Sequence, residues 1–167
     1  MGRTPKSGSD IGTAYKKYSD MLYRIAFMQL GNSEDAMDCV QDTFIKYMTA
    51  GILFSSAEHE KAWFIRATVN RCHDLYRKNR IRNHDELDSA ANLSYGEHFS
   101  EDTYHIAEAL ESLPEKLKTV IILHYLEGYS VEEIGDILKI GKSAVKMRLA
   151  RGRDALKEIL TKEEFNV

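Results

Sequence analysis

Apolar residues recur every three to four positions along most of this chain, the period that lays one stripe along an α-helix. From Thr13 to Leu30 the stripe holds Tyr15, Tyr18, Leu22, Ile25 and Ala26. Gly31-Asn32 should end this first helix, since both residue types tolerate a left-handed C-cap. Ser33 then stands where an N-cap is needed, with Glu34 and Asp35 in the first turn, as the helix dipole favours. Val40, Phe44, Tyr47 and Met48 give the second helix a core face, and Gly51 breaks it. A loop over 51–60 follows, in which Ser55 and Glu58 have capping-box spacing. The third helix should run from Glu58 to Arg80 and bury Ala62, Ile65, Val69, Cys72 and Tyr76. Trp63, Asn70 and Arg77 fall on another face at heptad spacing, and core packing does not explain that set.

Residues 83–102 lack an apolar period and read as a linker. A helix through Ile106, Leu110 and Leu113 begins near Thr103, and Pro114 takes an N1-like place before the next. That helix, Glu115 to Glu127, carries Leu117, Val120, Ile121 and Leu123 and stops at Gly128. Ser130 and Glu133 form another capping box, and Ile134, Ile137 and Leu138 give one apolar face. Lys139-Ile140-Gly141 interrupts the period, and Ser143 is placed to cap a last helix. There Val145, Leu149 and Leu156 point inward, while Lys142, Lys146, Arg148, Arg151, Arg153 and Lys157 point outward. Two short helices at this spacing, the second cationic, suit a helix-turn-helix whose recognition helix enters the major groove. A solvated basic helix in an ordinary bundle has the same composition. The expected fold is all-α: a disordered tail over 1–10, a helical domain over 11–82, a linker over 83–102 and a second helical domain over 103–162.

The net charge of −3 hides a strong division along the chain. From Lys61 to Arg82 seven Lys/Arg stand against one acid, and from Lys139 to Lys157 the count is the same. Between them, Asn83 to Glu115 holds nine acids and no Lys or Arg. Two cationic blocks around an anionic spacer say more about partners than the total does. Cys39 and Cys72 are too few for a disulfide framework and fit a reducing cytoplasm. No purely apolar run exceeds four residues, as in Val120 to Leu123, far short of a membrane span, and no secretory leader is expected at the start of the chain.

No catalytic constellation is expected. His59, His73, His84, His98, His105 and His124 are scattered, Cys72 and His73 face different sides of a helix, and no phosphate-cradling glycine loop occurs. The expectation is a protein that is not an enzyme and takes no metal or cofactor.

The segments LPEKLKTVIILHYLEGYSVEEIGDIL and SAVKMRLARGRDAL closely resemble the promoter-binding domain four of small extracytoplasmic-function bacterial sigma factors. EDAMDCVQDTFIKY is similar to that family's polymerase-docking helix, and KAWFIRATVNRCHDLYRKNR to its promoter-opening helix. The blocks fall in the family's order and cover about 15–160. One departure is Lys139, where the turn usually has glycine; a left-handed lysine costs on the order of 1 kcal/mol. The resemblance implies a sigma region 2 bundle over 11–82 and a region 4 helix-turn-helix over 103–162. It also implies a cytoplasmic transcription initiation factor with core RNA polymerase, promoter DNA and an anti-sigma factor as partners.

Three contacts follow from the resemblance. Asp35, Asp38, Gln41, Asp42 and Ile45 would meet the clamp helices of the largest polymerase subunit, where an acidic stripe suits steered encounter. Trp63, Arg66, Asn70, Arg71, Asp74, Arg77, Lys78 and Arg80 would hold the opened minus-ten strand, which needs surfaces for unstacked bases and cations for phosphates. Trp63 is equally suited to a core position. The loop over 51–60 would shape a pocket for an extruded base. Lys142, Ser143, Lys146 and Met147 would read the minus-thirty-five groove, with Arg148, Arg151 and Arg153 mainly on its backbone. The acidic linker fits either a phosphate-mimicking passage through polymerase or a plain tether. The competing functions are a dimeric helix-turn-helix regulator that is not a polymerase subunit, and a sigma-like decoy.

Overall fold

The computed structural model describes residues 8–83 and 99–165. The expected tail over 1–10 lies mostly outside them, as does the linker segment 84–98. All regular structure among the described residues is helical: α1 (Gly8–Leu30), α2 (Ser33–Thr49), α3 (Ala57–Asn83), α4 (Glu101–Leu110), α5 (Glu115–Ile121), α6 (Val131–Leu138) and α7 (Lys142–Phe165). The chain leaves α5 through a wider π-helical turn, Ile122–Leu126, so the single helix expected to reach Glu127 changes its winding midway.

The caps differ from expectation by a residue or two. Gly31 alone takes the left-handed turn, at φ 69°. Asn32 is thereby freed, in extended conformation, to cap α2 in place of Ser33, accepting from the Asp35 amide at 3.0 Å. At α3 the cap is Ser56 rather than Ser55: Ser56 Oγ accepts from the His59 amide, and His59 Nδ1 accepts from the Ser55 amide. Pro114 is the residue before α5 and not its first. Gly141, not Ser143, precedes α7, its carbonyl accepting from the Val145 amide. The box of Ser130 and Glu133 closes at both bonds as expected, and Lys139 ends α6 in the left-handed region at φ 55° and ψ 47°.

Three residues assigned to apolar stripes, Tyr15, Met48 and Ile106, lie outside them, Ile106 being 41% exposed. Tyr15 is 49% exposed because Ala14 takes the buried slot, and Met48 is 62% exposed, beyond half-buried Tyr47. The first three helices pack through Leu22, Ile25, Val40, Phe64 and Ile65, while α5–α7 pack through Val120, Leu123, Ile134, Val145 and Leu149. Trp63, 7% exposed, lies among Tyr47, Phe54 and Phe64, with ring centroids 5.2–6.0 Å away. Cys39 and Cys72 are buried free thiols, and hydrogen bonding to Cys39, then burial, holds the Cys72 thiol protonated. At Gly152 a Cβ would stand 2.8 Å from Ile121 Cγ1, so α7 crosses α5 where only glycine fits without displacement.

The two halves do not keep separate cores. Phe27 of α1 stacks on Phe99 at 4.5 Å and meets the edge of Tyr104 at 5.4 Å, joining α4 to the first bundle. Beside these rings runs a buried polar seam. Lys118 Nζ donates to the Gln29 carbonyl (3.0 Å), Thr119 Oγ1 donates to Gln29 Oε1 (3.1 Å), and His73 Nε2 lies 3.0 Å from Thr119 Oγ1. Burial lowers the Lys118 and His73 pKa values, with Arg77 adding to the effect on His73, and burial raises that of Glu115. His73 and Glu115, 3.8 Å apart, are therefore both driven toward their neutral forms.

Replacing Lys139 by Gly should raise stability by about 1 kcal/mol, because the left-handed backbone no longer opposes a Cβ. An unchanged or lower urea midpoint would count against that account. Trp63→Ala should cost about 3–5 kcal/mol as a core truncation. Exposed Asn70→Ala should stay within about 0.5 kcal/mol in the same measurement.

Candidate nucleic-acid interface

α2 presents Asp38, Gln41, Ile45 and Met48 to solvent at three- and four-residue spacing, with Ile45 57% exposed. Asp35 and Asp42, expected on the same stripe, are only half exposed and braced against α3. Asp42 Oδ2 accepts from Arg71 Nε at 2.7 Å, and Asp35 Oδ2 accepts from Asn79 Nδ2 at 3.1 Å. The pairing raises the Arg71 pKa, chiefly through the hydrogen bond to Asp42. The sequence reading missed this bracing and missed Met48 as a second exposed apolar group on the face. The i, i+3 spacing of Ile45 and Met48 was the available signal.

On α3 the structure separates the residues grouped by sequence. Asn70, Asp74, Arg77, Lys78 and Arg80 are exposed and share the solvent side of its second half. Trp63 is in the core, because the loop before α3 folds Phe54 over the helix start, 5.8 Å from the indole. Its heptad relation to Asn70 and Arg77 therefore does not give the three one surface. Arg66 is half-buried and donates from Nη1 to the Ile137 carbonyl at 3.4 Å, facing α6. Arg71 lies toward α2 in its ion pair.

α7 shows the expected division between inner and outer positions. Val145 and Leu149 are buried; Lys142, Ser143, Lys146 and Met147 are exposed on the first turns, followed by half-buried Arg148 and exposed Arg151 and Arg153. Two cations have neighbours: Lys142 Nζ is 2.9 Å from Glu132 Oε1, and Arg153 Nη1 donates to the Tyr125 hydroxyl at 3.1 Å. The hydrogen bond from Lys142 lowers the Glu132 pKa. A helix with small and cationic side chains on its leading turns, backed by an apolar face, can enter a groove and neutralise phosphates beside it.

Among the described residues no group of three or more His, Cys, Asp or Glu is arranged to hold a metal ion. No helix among them is long and apolar enough to cross a membrane. The exposed chemistry is an acidic-apolar face on α2 and cationic faces on α3 and α7.

Comparison with known proteins agrees with this arrangement. Residues 14–82 match the model of Sigma-70 region 2, and residues 105–156 that of Sigma-70, region 4. The RNA polymerase sigma factor SigV of Bacillus subtilis (strain 168) is 33% identical over 157 residues, which span 92% of this chain and 93% of SigV. The ECF RNA polymerase sigma factor SigE of Mycolicibacterium smegmatis (strain ATCC 700084 / mc(2)155) is 31% identical over 155 residues, 88% of this chain and 60% of SigE. The fold is like that of CnrH, solved in complex with the cytosolic domain of CnrY. The TM-score there is 0.70 at 24% identity, over 93% of this chain and 90% of CnrH. It is also like that of the sigma factor RpoE of Bartonella quintana, solved with the anti-sigma factor NepR, with TM-score 0.68 at 24% identity over 91% and 97% of the two chains. With both regions matched in order and a relative one-third identical along nearly its whole length, this chain belongs to the extracytoplasmic-function sigma factors of the sigma-70 family.

Proposed function

We propose that this protein directs core RNA polymerase to promoters from the cytoplasm, with the labour divided among three helices. α2 docks on the cationic clamp helices of the largest subunit through Asp38, Gln41 and Ile45, with Asp35 and Asp42 adding charge behind them. Exposed Ile45 and Met48 supply the apolar area that becomes buried once the charges have steered the encounter. α3 takes the opened minus-ten strand, with Asn70 and Asp74 toward bases and Arg77, Lys78 and Arg80 toward phosphates. Trp63 acts beneath this surface by holding the loop over 51–60 through Phe54, and a base stacks on the indole only if that loop moves. Arg71 and Arg66 reach DNA after leaving Asp42 and the Ile137 carbonyl.

α7 reads the minus-thirty-five duplex through Lys142, Ser143, Lys146 and Met147, while Arg148, Arg151 and Arg153 hold the backbone. The working units are 11–82 and 103–162, joined by the acidic segment 83–102. An anti-sigma factor fits as a further partner, since RpoE, which shares this fold, is solved in complex with the anti-sigma factor NepR, and it would cover the α2 face or the space between the units. The observation that carries the reading is the exposure of two cationic helix faces, on α3 and α7, together with an acidic-apolar face on α2. A dimeric regulator needs neither the α2 face nor the second cationic helix.

Sigma-free core polymerase, promoter DNA and this protein should yield run-off transcript; its absence would sink the reading. Asp38→Arg combined with Ile45→Glu should remove core polymerase binding in a pull-down, while circular dichroism stays unchanged because both side chains are exposed. Retained binding would refute the docking face. Lys146→Ala should relax sequence preference at one or two minus-thirty-five positions, by about 1–3 kcal/mol per lost base contact. Arg151→Ala should instead weaken binding to all sequences and flatten the salt dependence. Identical behaviour of the two variants would refute that division.

A further inference from the structure

Among the described residues, Lys139 alone is a non-glycine with a positive φ, at φ 55° and ψ 47° in the turn between α6 and α7. The turn imposes that shape. The Gly135 carbonyl accepts from the amides of both Lys139 and Ile140, the latter at 3.0 Å, so the chain must reverse at position 139. The reversal is tight: a Cβ on Gly135 would stand 3.0 Å from the Ile140 oxygen and 4.0 Å from the Lys142 nitrogen. Glycine takes this backbone conformation without the clash that a lysine Cβ meets. The fold gains no contact in return. Lys139 is exposed, and among the described residues no hydrogen bond, ion pair or aromatic ring engages its ammonium. Complementing the α6 dipole does not account for it either, since the exposed place in the last turn of that helix carries Asp136.

We propose that Lys139 is a phosphate clamp for the minus-thirty-five duplex, set in the turn so that its ammonium meets the DNA backbone beside the groove that α7 enters. The inference rests on the reading of α7 above and adds to it a residue outside that helix. Lys139 precedes Lys142 by three residues, a reach of at most ~11 Å. The major groove is about 12 Å wide, so a residue this near the groove floor stands no farther off than the wall of phosphates. Charge on this side of the motif makes the lysine necessary. Glu132, Glu133 and Asp136 are exposed on α6, and Lys142 Nζ is engaged by Glu132 at 2.9 Å. Without Lys139 the leading edge would bring three carboxylates and one paired cation toward a polyanion. With it, the edge holds an unpaired ammonium on a backbone fixed by two hydrogen bonds to Gly135. A cation rooted in a fixed turn loses less freedom on meeting a phosphate than one on a mobile loop. Backbone strain retained beneath an exposed, unpartnered charge fits a ligand contact and not a folding one.

The test uses holoenzyme reconstituted from core polymerase and the full chain, on promoter DNA with and without the minus-thirty-five region. Lys139→Gly removes charge and strain together, Lys139→Gln removes the charge and keeps the strain, and Lys139→Arg keeps both. The two neutral variants should bind the full promoter more weakly, and their slope of log affinity against log salt should flatten by about 0.9, the value for one phosphate. The wild-type advantage should accordingly shrink about 3.5-fold over a fourfold rise in salt. Lys139→Arg should keep the wild-type slope. Scrambling the minus-thirty-five sequence should leave the effect of Lys139→Gly unchanged, because phosphates carry no sequence. DNA lacking that region should bind all four proteins alike. A looser turn by itself would lower affinity without moving the slope, so the slope separates lost charge from lost rigidity. An unchanged slope in the neutral variants, an effect confined to one minus-thirty-five sequence, or an equal effect on DNA lacking the region would each overturn the clamp. If wild-type holoenzyme did not favour DNA with the region over DNA without it, the reading of α7 would fall instead.

Discussion

An ammonium group buried against the end of α1 governs how the halves of this chain meet. Lys118 has lost nearly all its water and keeps one backbone carbonyl, a ring (Tyr76, 5.6 Å) and the field of nearby carboxylates. Such a charge is tolerable only while its partners stay in place, since removing one leaves it uncompensated. Gln29 is that partner, and it is fully engaged: both ends of its amide and its main-chain oxygen are bonded to α5. Register between the halves is thus set by hydrogen-bond geometry, which tolerates little sliding, while Phe27, Phe99 and Tyr104 supply the adhesion.

The helices themselves were legible from hydrophobic spacing because each has one buried stripe. Where legibility failed, the cause was local competition. Tyr15 and Met48 are apolar and near the right phase, yet Ala14 and Tyr47 stand closer to the core direction. Asn32 outcompetes Ser33 as a cap because Gly31 takes the left-handed turn alone. The π-helical turn has no signature in spacing. The seam was invisible for a different reason: Gln29, Lys118 and Thr119 read as surface residues, and their burial depends on pairing across 86 to 90 positions of sequence.

The site was read in part. Which cations face outward on α7 follows from the position of Val145 and Leu149, and the structure agrees for Lys142, Lys146, Arg151, Arg153 and Lys157, with Arg148 half-buried. On α3 the heptad relation joined Trp63 to Asn70 and Arg77, but the loop before the helix covers its first turns and leaves the second half bare. The bracing of Asp42 by Arg71 and of Asp35 by Asn79 links α2 to α3. Such pairing is a tertiary fact that no one-dimensional pattern contains.

The absence of a side chain at Gly152 has a mechanical result. Because α7 rests directly on Ile121, the helix that bears Lys118 and the helix that bears Lys146 meet with no side chain at position 152 to hold them apart. A close crossing of this kind leaves little free volume, so any bulkier residue at 152 must move one helix against the other.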